Sequence, residues 1–213
     1  LNCKAWAIKW GPGLDLDYET MTAEGALLDG LKRDQYELQV VSWNGQLREA
    51  LFIGGQARQY DLTATVIIGS VDDYKVHQFR GCQTSTPEIS EPKDYIYDPD
   101  GTLLRTKLLN SFASENGLNI LAEDIAYLTS NQKIESPFLT RFSRLKTIEM
   151  SLPKLQNELN NLDAGSLIIR KRGYPEEPEE IRKRINLTGT AELTVLLHRN
   201  GSRHTAHICK KEI

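Results

Sequence analysis

The chain has 213 residues, a net charge of −3 and an ordinary composition, with 39% hydrophobic and 26% charged residues. This length allows one large or two small domains with buried cores, and no apolar run approaches the roughly 20 residues that span a bilayer. Three cysteines in no paired motif argue against a disulfide framework, so we expect a reduced, cytoplasmic protein with no membrane partner.

The first residues already have the pattern of a structural element. An apolar run over Cys3–Trp10 predicts a buried strand that ends at Gly11-Pro12-Gly13. Because free termini are usually loose and solvated, we interpret the chain as a fragment whose upstream part is absent. The segment Asp15–Asp34 then predicts a helix.

Strand patterns dominate the next fifty residues. Asn44-Gly45 is a strong tight-turn signal between two predicted strands. The predicted strands are Leu38–Trp43, Leu47–Ile53, Leu62–Ile68 and Tyr74–Phe79.

The composition changes at residue 83 to Ser, Thr, Pro and acidic residues, which indicates an interdomain connection. Leu103–Asn116 has apolar residues at helical spacing and stops before Gly117, a C-cap signal. A further short element is predicted at Asp124–Leu128. We therefore assign residues 83–140 to a linker and helical connector.

The last seventy residues predict a compact alternation of strands and helices. The elements are strand Leu145–Met150, helix Leu152–Leu162, strand Ser166–Lys171, helix Glu177–Ile185, and strands Glu192–His198 and His204–Cys209. This βαβαββ order is typical of a small α+β domain, and we expect residues from about 140 onward to fold on their own.

Basic residues cluster in this last part. Residues 141–213 have 14 lysines and arginines against nine acidic residues, a charge of +5, whereas residues 1–140 have a charge of −8. The run Arg170, Lys171 and Arg172 ends a strand, and Arg182 and Lys183 lie on the next predicted helix. Cations on one face suit phosphate contacts. Alternatively, the glutamates between 176 and 180 pair with these cations.

Two further groups are candidates for a site. Lys9, Gly11, Pro12, Gly13 and Asp15 surround the end of the first strand, which we take to be a parallel strand, at the sheet edge where open α/β sheets bind ligands. Alternatively, the glycines serve backbone geometry and Asp15 caps a helix.

Histidines and a cysteine are the second group, close to the C-terminus. On one strand His204 and His207 point to opposite faces, and only His207 and Cys209 share a face. With His198 this is too few ligands for a metal, so we predict no metal site.

Four landmarks in this order resemble bacterial class I S-adenosylmethionine-dependent methyltransferases with a C-terminal THUMP-like domain, and together they cover nearly the whole chain. The landmarks are Ile8–Asp15; Val40–Gly45 followed by Leu47–Ala50; Tyr95–Pro99 with Ile125–Thr129; and Arg170–Gly173 followed by Glu179–Arg184.

The resemblance implies an α/β plus α+β protein. Residues 1–82 would be the C-terminal half of a Rossmann-like methyltransferase domain, 83–140 the connector, and 141–213 a THUMP-like, ferredoxin-like domain. The cofactor of the full-length protein would be S-adenosylmethionine, bound by the missing N-terminal half, since no glycine-rich loop of the required spacing is present. The tail would present RNA, and the resemblance assigns no catalytic residues.

Two other functions remain open: a non-catalytic RNA-binding module, and a structural fragment that forms a homo-oligomer through an exposed sheet edge.

Overall fold

The computed structural model describes residues 4–11, 33–81 and 87–212. Most of the helix predicted over Asp15–Asp34 lies outside these residues, apart from a 3-10 helix at Arg33–Gln35. The chain divides into two compact units, each assembled from three segments.

The first unit contains a five-stranded sheet. Its strands are β1 (Ala5–Trp10), β2 (Tyr36–Trp43), β3 (Gln46–Gly55), β4 (Leu62–Gly69) and β5 (Tyr74–Gly81). Their spatial order is β1-β3-β2-β4-β5. Asn44 and Gly45 join β2 to β3 with φ of 49° and 78°, the backbone that a tight hairpin turn requires.

Strand direction in this sheet differs from the expectation for the first strand. β1 pairs antiparallel with β3, and the parallel pair is β2 with β4. The prediction that β1 is a parallel strand is therefore wrong, because β1 runs antiparallel to β3, the strand beside it. The physical reason is the tight β2–β3 hairpin, which inserts an antiparallel strand between β1 and β2.

Two short helices complete the first unit. They are α1 (Gly101–Arg105) and α2 (Leu109–Glu115), where the periodicity predicted one helix over Leu103–Asn116. The break lies at Lys107, whose φ of 57° is left-handed. It allows Phe112 to pack against Phe79, with ring centroids 5.1 Å apart.

The second unit contains a seven-stranded sheet with two helices. The strands are β6 (Tyr95–Pro99), β7 (Asn119–Ala122), β8 (Ile125–Ser130), β9 (Leu139–Glu149), β10 (Ala164–Arg172), β11 (Ala191–Asn200) and β12 (Arg203–Lys211). The helices are α3 (Leu152–Asn161) and α4 (Pro178–Lys183). The spatial order is β10-β11-β12-β9-β6-β8-β7, with β10 and β11 parallel.

Three of these strands, β6, β7 and β8, come from the stretch that the sequence analysis assigned to a connector. β8 overlaps the short element predicted at Asp124–Leu128 and forms a local hairpin with β7. β6 instead pairs with β8, about thirty residues further along the chain, which local patterns do not show. The elements after residue 139 do follow in the order strand, helix, strand, helix, strand, strand.

Two apolar clusters fill the second unit. The first packs α3 and α4 onto the sheet through Leu155, Leu159 and Ile181, all fully buried. The second is the β6–β8 cluster, which joins Ile96 and Tyr127 to Phe142, Leu196 and Cys209. Because this second cluster includes residues from β6 and β8, the unit extends well beyond the last seventy residues.

Candidate functional site

Asp98, on β6, binds two of the predicted phosphate-contacting arginines. Its Oδ2 accepts a hydrogen bond from Arg170 Nη1 at 2.5 Å, and its Oδ1 accepts one from Arg172 Nη2 at 2.6 Å. The two arginines share one face of β10 because they are two residues apart. We call Asp98, Arg170 and Arg172 the arginine clamp.

The arginine clamp ties together strands that are distant in the sheet. Three strands, β11, β12 and β9, lie between β10 and β6. A side-chain contact across that interval requires a strongly curled sheet. The guanidinium of Arg172 also lies over the ring of Tyr127 at 5.2 Å, and that of Arg170 over Phe142 at 5.7 Å. Both arginines of the clamp therefore make cation–π contacts with aromatic rings of the β6–β8 cluster.

The other predicted basic residues also have partners. Lys171 points to the opposite face and pairs with Glu177 at 2.6 Å, and Lys183 pairs with Glu180 at 2.7 Å. Arg182 donates to the carbonyl oxygen of Ile185 at 3.1 Å. The five residues thus do not form one free cationic face. Two of them pair with glutamates between 176 and 180, which was the alternative to phosphate binding in the sequence analysis. Their contact with RNA stays a prediction.

The residues predicted around the end of β1 are only partly described. Lys9 Nζ lies 2.7 Å from Glu49 Oε2, and Gly11 is exposed. Pro12, Gly13 and Asp15 lie outside the described residues. The substrate role of this turn stays a prediction.

The carboxyl ends of β2 and β4 are hydrogen-bonded to each other. Asn44 donates to the carbonyl oxygen of Gly69 at 2.9 Å and accepts from its N–H at 3.0 Å, and Trp43 Nε1 donates to the same oxygen at 3.2 Å. These bonds join the carboxyl ends of the two parallel strands to each other.

A polar cleft of about 370 Å³ lies in the second unit, and sequence reasoning missed it. Its polar lining comprises Ser90, Glu91, Thr147, Glu149, His198, Asn200, Arg203, His204, Thr205 and His207. Its apolar lining comprises Pro92, Leu121 and Ile148. Four separate segments thus contribute, which is why no local motif indicated it.

At the cleft, His198 and His207 meet through their Nε2 atoms at 2.9 Å. The ring planes differ by 16° with centroids 5.0 Å apart, so the rings meet edge to edge. The hairpin register explains the pairing, since His198 lies opposite Thr205 and His207 is two residues further along the same face. The turn at Gly201-Ser202 sets this register, and it was the sequence signal from which the contact between the two histidines could have been predicted.

The hydrogen-bond partners of this pair fix where its protons lie. His198 Nδ1 lies 2.9 Å from the carbonyl oxygen of Arg199, which can only accept, so His198 is protonated at Nδ1. Its Nε2 then accepts from His207 Nε2. His207 Nδ1 is left as an acceptor, and Thr147 Oγ1 donates to it at 2.9 Å. We call this chain from Thr147 to Arg199 the histidine relay.

Burial keeps the histidine relay neutral. Burial, together with smaller contributions from the neighbouring His198 and Arg144, lowers the pKa of His207 to about 3. Burial also lowers the pKa of His198. On the same strand, burial raises the pKa of the Cys209 thiol to about 12, so this cysteine is an inert core residue and not a nucleophile.

The histidine pair has the geometry of a hydrogen bond. Two Zn–N bonds in a tetrahedral site would hold their nitrogens about 3.3 Å apart. Within the described residues, no group of three or more His, Cys, Asp or Glu side chains is arranged to hold a metal ion. In the same residues, no helix is long and apolar enough to cross a membrane.

Comparisons with known proteins confirm the resemblance found in the sequence. Residues 139–211 match the family model described as THUMP domain-like. The chain is also 29% identical over 179 residues to two uncharacterized S-adenosylmethionine-dependent methyltransferases of Mycobacterium tuberculosis, from strains CDC 1551 and H37Rv. Each alignment covers 82% of this chain and 48% of the relative. The chain thus spans about half the length of the curated relatives it matches.

A solved structure shares the fold. The crystal structure of a candidate methyltransferase from Porphyromonas gingivalis W83 matches with a TM-score of 0.74 at 21% identity, over 99% of this chain and 52% of that chain. The chain therefore has a mixed α/β fold with a methyltransferase as structural neighbour.

Proposed function

We propose that this chain is the C-terminal part of a cytoplasmic S-adenosylmethionine-dependent methyltransferase and that its tail presents an RNA substrate. The observation that carries the proposal is the THUMP-like match over residues 139–211 in a chain similar to methyltransferases over 82% of its length. Residues 1–82 would be the C-terminal half of the Rossmann-like domain, and the missing half would bind the methyl donor.

The β11–β12 hairpin supplies the cations that support this role. Arg199, Arg203, Lys210 and Lys211 are exposed, and within the described ranges none of them has a carboxylate partner. Phosphate binding needs mainly charge and reach. These four residues are better placed to contact a polyanion than the arginine clamp, where both guanidinium groups are hydrogen-bonded to Asp98.

A non-catalytic RNA-binding module is the second candidate. It is favoured by the match to the THUMP-like family model, which covers residues 139–211 and no strand of the first unit's sheet. A homo-oligomer is a third, supported by Val71, Tyr74 and Val76, which are 80%, 52% and 52% exposed on or beside the edge strand β5.

Two titrations of the 213-residue chain test the leading proposal. We expect no micromolar binding of S-adenosylmethionine by calorimetry, and we expect binding of a single-stranded RNA at low salt by fluorescence anisotropy. Replacing Arg199, Arg203, Lys210 and Lys211 by Ala should flatten the dependence of log affinity on log salt by roughly 0.7 units for each phosphate that is no longer neutralised.

The matched control is Arg170→Ala, which should change the salt slope less than the hairpin replacements because the guanidinium of Arg170 is already hydrogen-bonded to Asp98. Absence of RNA binding at low salt would reject the substrate-presenting role. If Arg170→Ala changes the salt dependence of RNA affinity and the hairpin replacements do not, the RNA interface lies on β10 and not on the hairpin. A longer protein that includes the upstream half should transfer methyl groups to RNA; failure to do so would favour the non-catalytic module.

A further inference from the structure

The histidine relay determines how one wall of the polar cleft can hydrogen-bond. Thr147 uses its only hydroxyl hydrogen on His207 Nδ1. Its oxygen can therefore act toward the cleft only as an acceptor. Both histidines are almost fully buried and stay neutral near pH 7, so this polarity is fixed under ordinary conditions.

Charges of both signs surround the same cleft. Glu91 and Glu149 contribute carboxylates, and Arg203 contributes a guanidinium with no ion-pair partner among the described residues. A simple anion would meet the two carboxylates, and a simple cation would meet the guanidinium. The ligand that fits carries hydrogen-bond donors and acceptors side by side.

Size and apolar walls narrow the choice further. A volume of about 370 Å³ is at the small end of ligand pockets, which run from about 300 to 1,000 Å³. Pro92 and Leu121 provide apolar contact area. A flat heterocycle with polar edges satisfies these requirements.

We propose that the polar cleft takes one unpaired nucleobase of a bound RNA strand, and that it prefers a base with an exocyclic amino group to its oxo counterpart. The inference rests on the proposed RNA-binding function. Thr147, Glu91 and Glu149 offer acceptors that cannot donate, so an amino group with two hydrogens gains more there than a carbonyl oxygen does. Arg203 and Asn200 offer donors to the ring nitrogens and carbonyl oxygens of the same base.

The test compares single-stranded oligonucleotides that differ only in this group. Cytidine and uridine decamers have rings of equal size, and fluorescence anisotropy at one fixed low salt concentration measures their affinity for the 213-residue chain. We expect the cytidine decamer to bind roughly tenfold more tightly, since one good base contact discriminates by about that factor. An adenosine decamer should exceed an inosine decamer in the same way.

Variants locate the preference in the cleft. Thr147→Val and Glu91→Gln should each reduce the ratio of affinities toward one, whereas Thr147→Ser keeps the hydroxyl and should preserve it. The control is Thr188→Val, at an exposed threonine outside the cleft. If Thr147→Val fails to fold because His207 loses its donor, Glu91→Gln at an exposed position carries the test.

Each outcome decides between the two proposals. Equal binding of the cytidine and uridine decamers would overturn the base-binding cleft and leave the RNA-binding function standing. A preference that survives both Thr147→Val and Glu91→Gln would also overturn it, because the discriminating contacts would then lie elsewhere. If neither decamer binds at any salt, the proposed function fails and the cleft inference fails with it.

Discussion

At the scale of single residues, the histidine relay is the feature with the clearest dependence on pH. The unperturbed pKa of 6.5 applies to His207 in the unfolded chain, whereas burial lowers it to about 3 in the folded chain. Below pH 6.5 the unfolded state therefore binds a proton that the folded state does not. The contribution of the pair to stability is present above pH 6.5 and is lost as the pH falls toward 3.

We predict that His207 alone lowers the free energy of unfolding by roughly 3 kcal/mol between pH 7 and pH 4, at 1.36 kcal/mol for each pH unit below the unfolded pKa. Urea unfolding at several pH values measures it. The variant His207→Gln should be less stable than the parent at pH 7, but it should lose less stability on acidification. Parallel curves for parent and variant would contradict the prediction, and His77→Gln in the first unit is the control.

The arginine clamp is the second feature at this scale. The Asp98 side chain is only 11% exposed and holds two guanidinium groups, and Arg172 Nε is buried without a partner of its own. Removing the carboxylate leaves two positive charges facing each other over the β6–β8 cluster. A loss of this kind costs more than the loss of an exposed ion pair.

We predict that Asp98→Asn lowers the free energy of unfolding by about 2 kcal/mol. The matched control is Glu177→Gln, which removes a 66% exposed partner of Lys171 and should cost less than about 0.5 kcal/mol. Equal effects of the two substitutions, measured by urea unfolding, would mean that the clamp is an ordinary surface pair.

At the scale of elements, β9 is central to the second unit. It pairs with β12 on one side and lies beside β6 on the other. Phe142 of β9 and Leu196 of β11 pack with Ile96, Leu121, Ile125 and Tyr127, which all come from β6, β7 and β8. The expectation that residues from about 140 fold alone is therefore not supported by the packing.

We predict that a chain of residues 139–213 shows no cooperative thermal melt by circular dichroism, whereas residues 87–213 melt cooperatively. Each large apolar side chain contributes about 1.5–3 kcal/mol when buried. Loss of the four from β6–β8 is comparable with the net stability of a whole domain, about 5–15 kcal/mol. A sharp transition in the shorter chain would show that the cluster packed by α3 and α4 suffices.

Sequence patterns predicted most of the described elements because those elements have local signatures. The hairpin at Asn44-Gly45 and the helix beginning at Leu152 are confirmed. The break at Lys107 was not predictable, since lysine has no preference for a left-handed backbone. Nor was the membership of β6 in the second sheet, because it depends on partners far along the chain.

For the whole molecule, the ordered landmarks were sufficient to predict the resemblance, which the comparisons confirm. The candidate site was less predictable. The basic run at Arg170 was visible, but its pairing with Asp98 was not, because 72 residues separate the two. The polar cleft is lined by residues near 90, 121, 147 and 200, which come together only in the folded sheet.

The segments of the two units alternate along the chain, and this order limits how genetic recombination can exchange the units. The first unit takes the described residues up to Gly81 together with Pro99–Glu115 and Ser136–Phe138, and the second takes the segments between and after them. A single recombination point anywhere from residue 87 to residue 138 would divide at least one unit. A single recombination event in this range therefore cannot transfer one intact unit without the other. We expect relatives that contain one unit to contain the other as well.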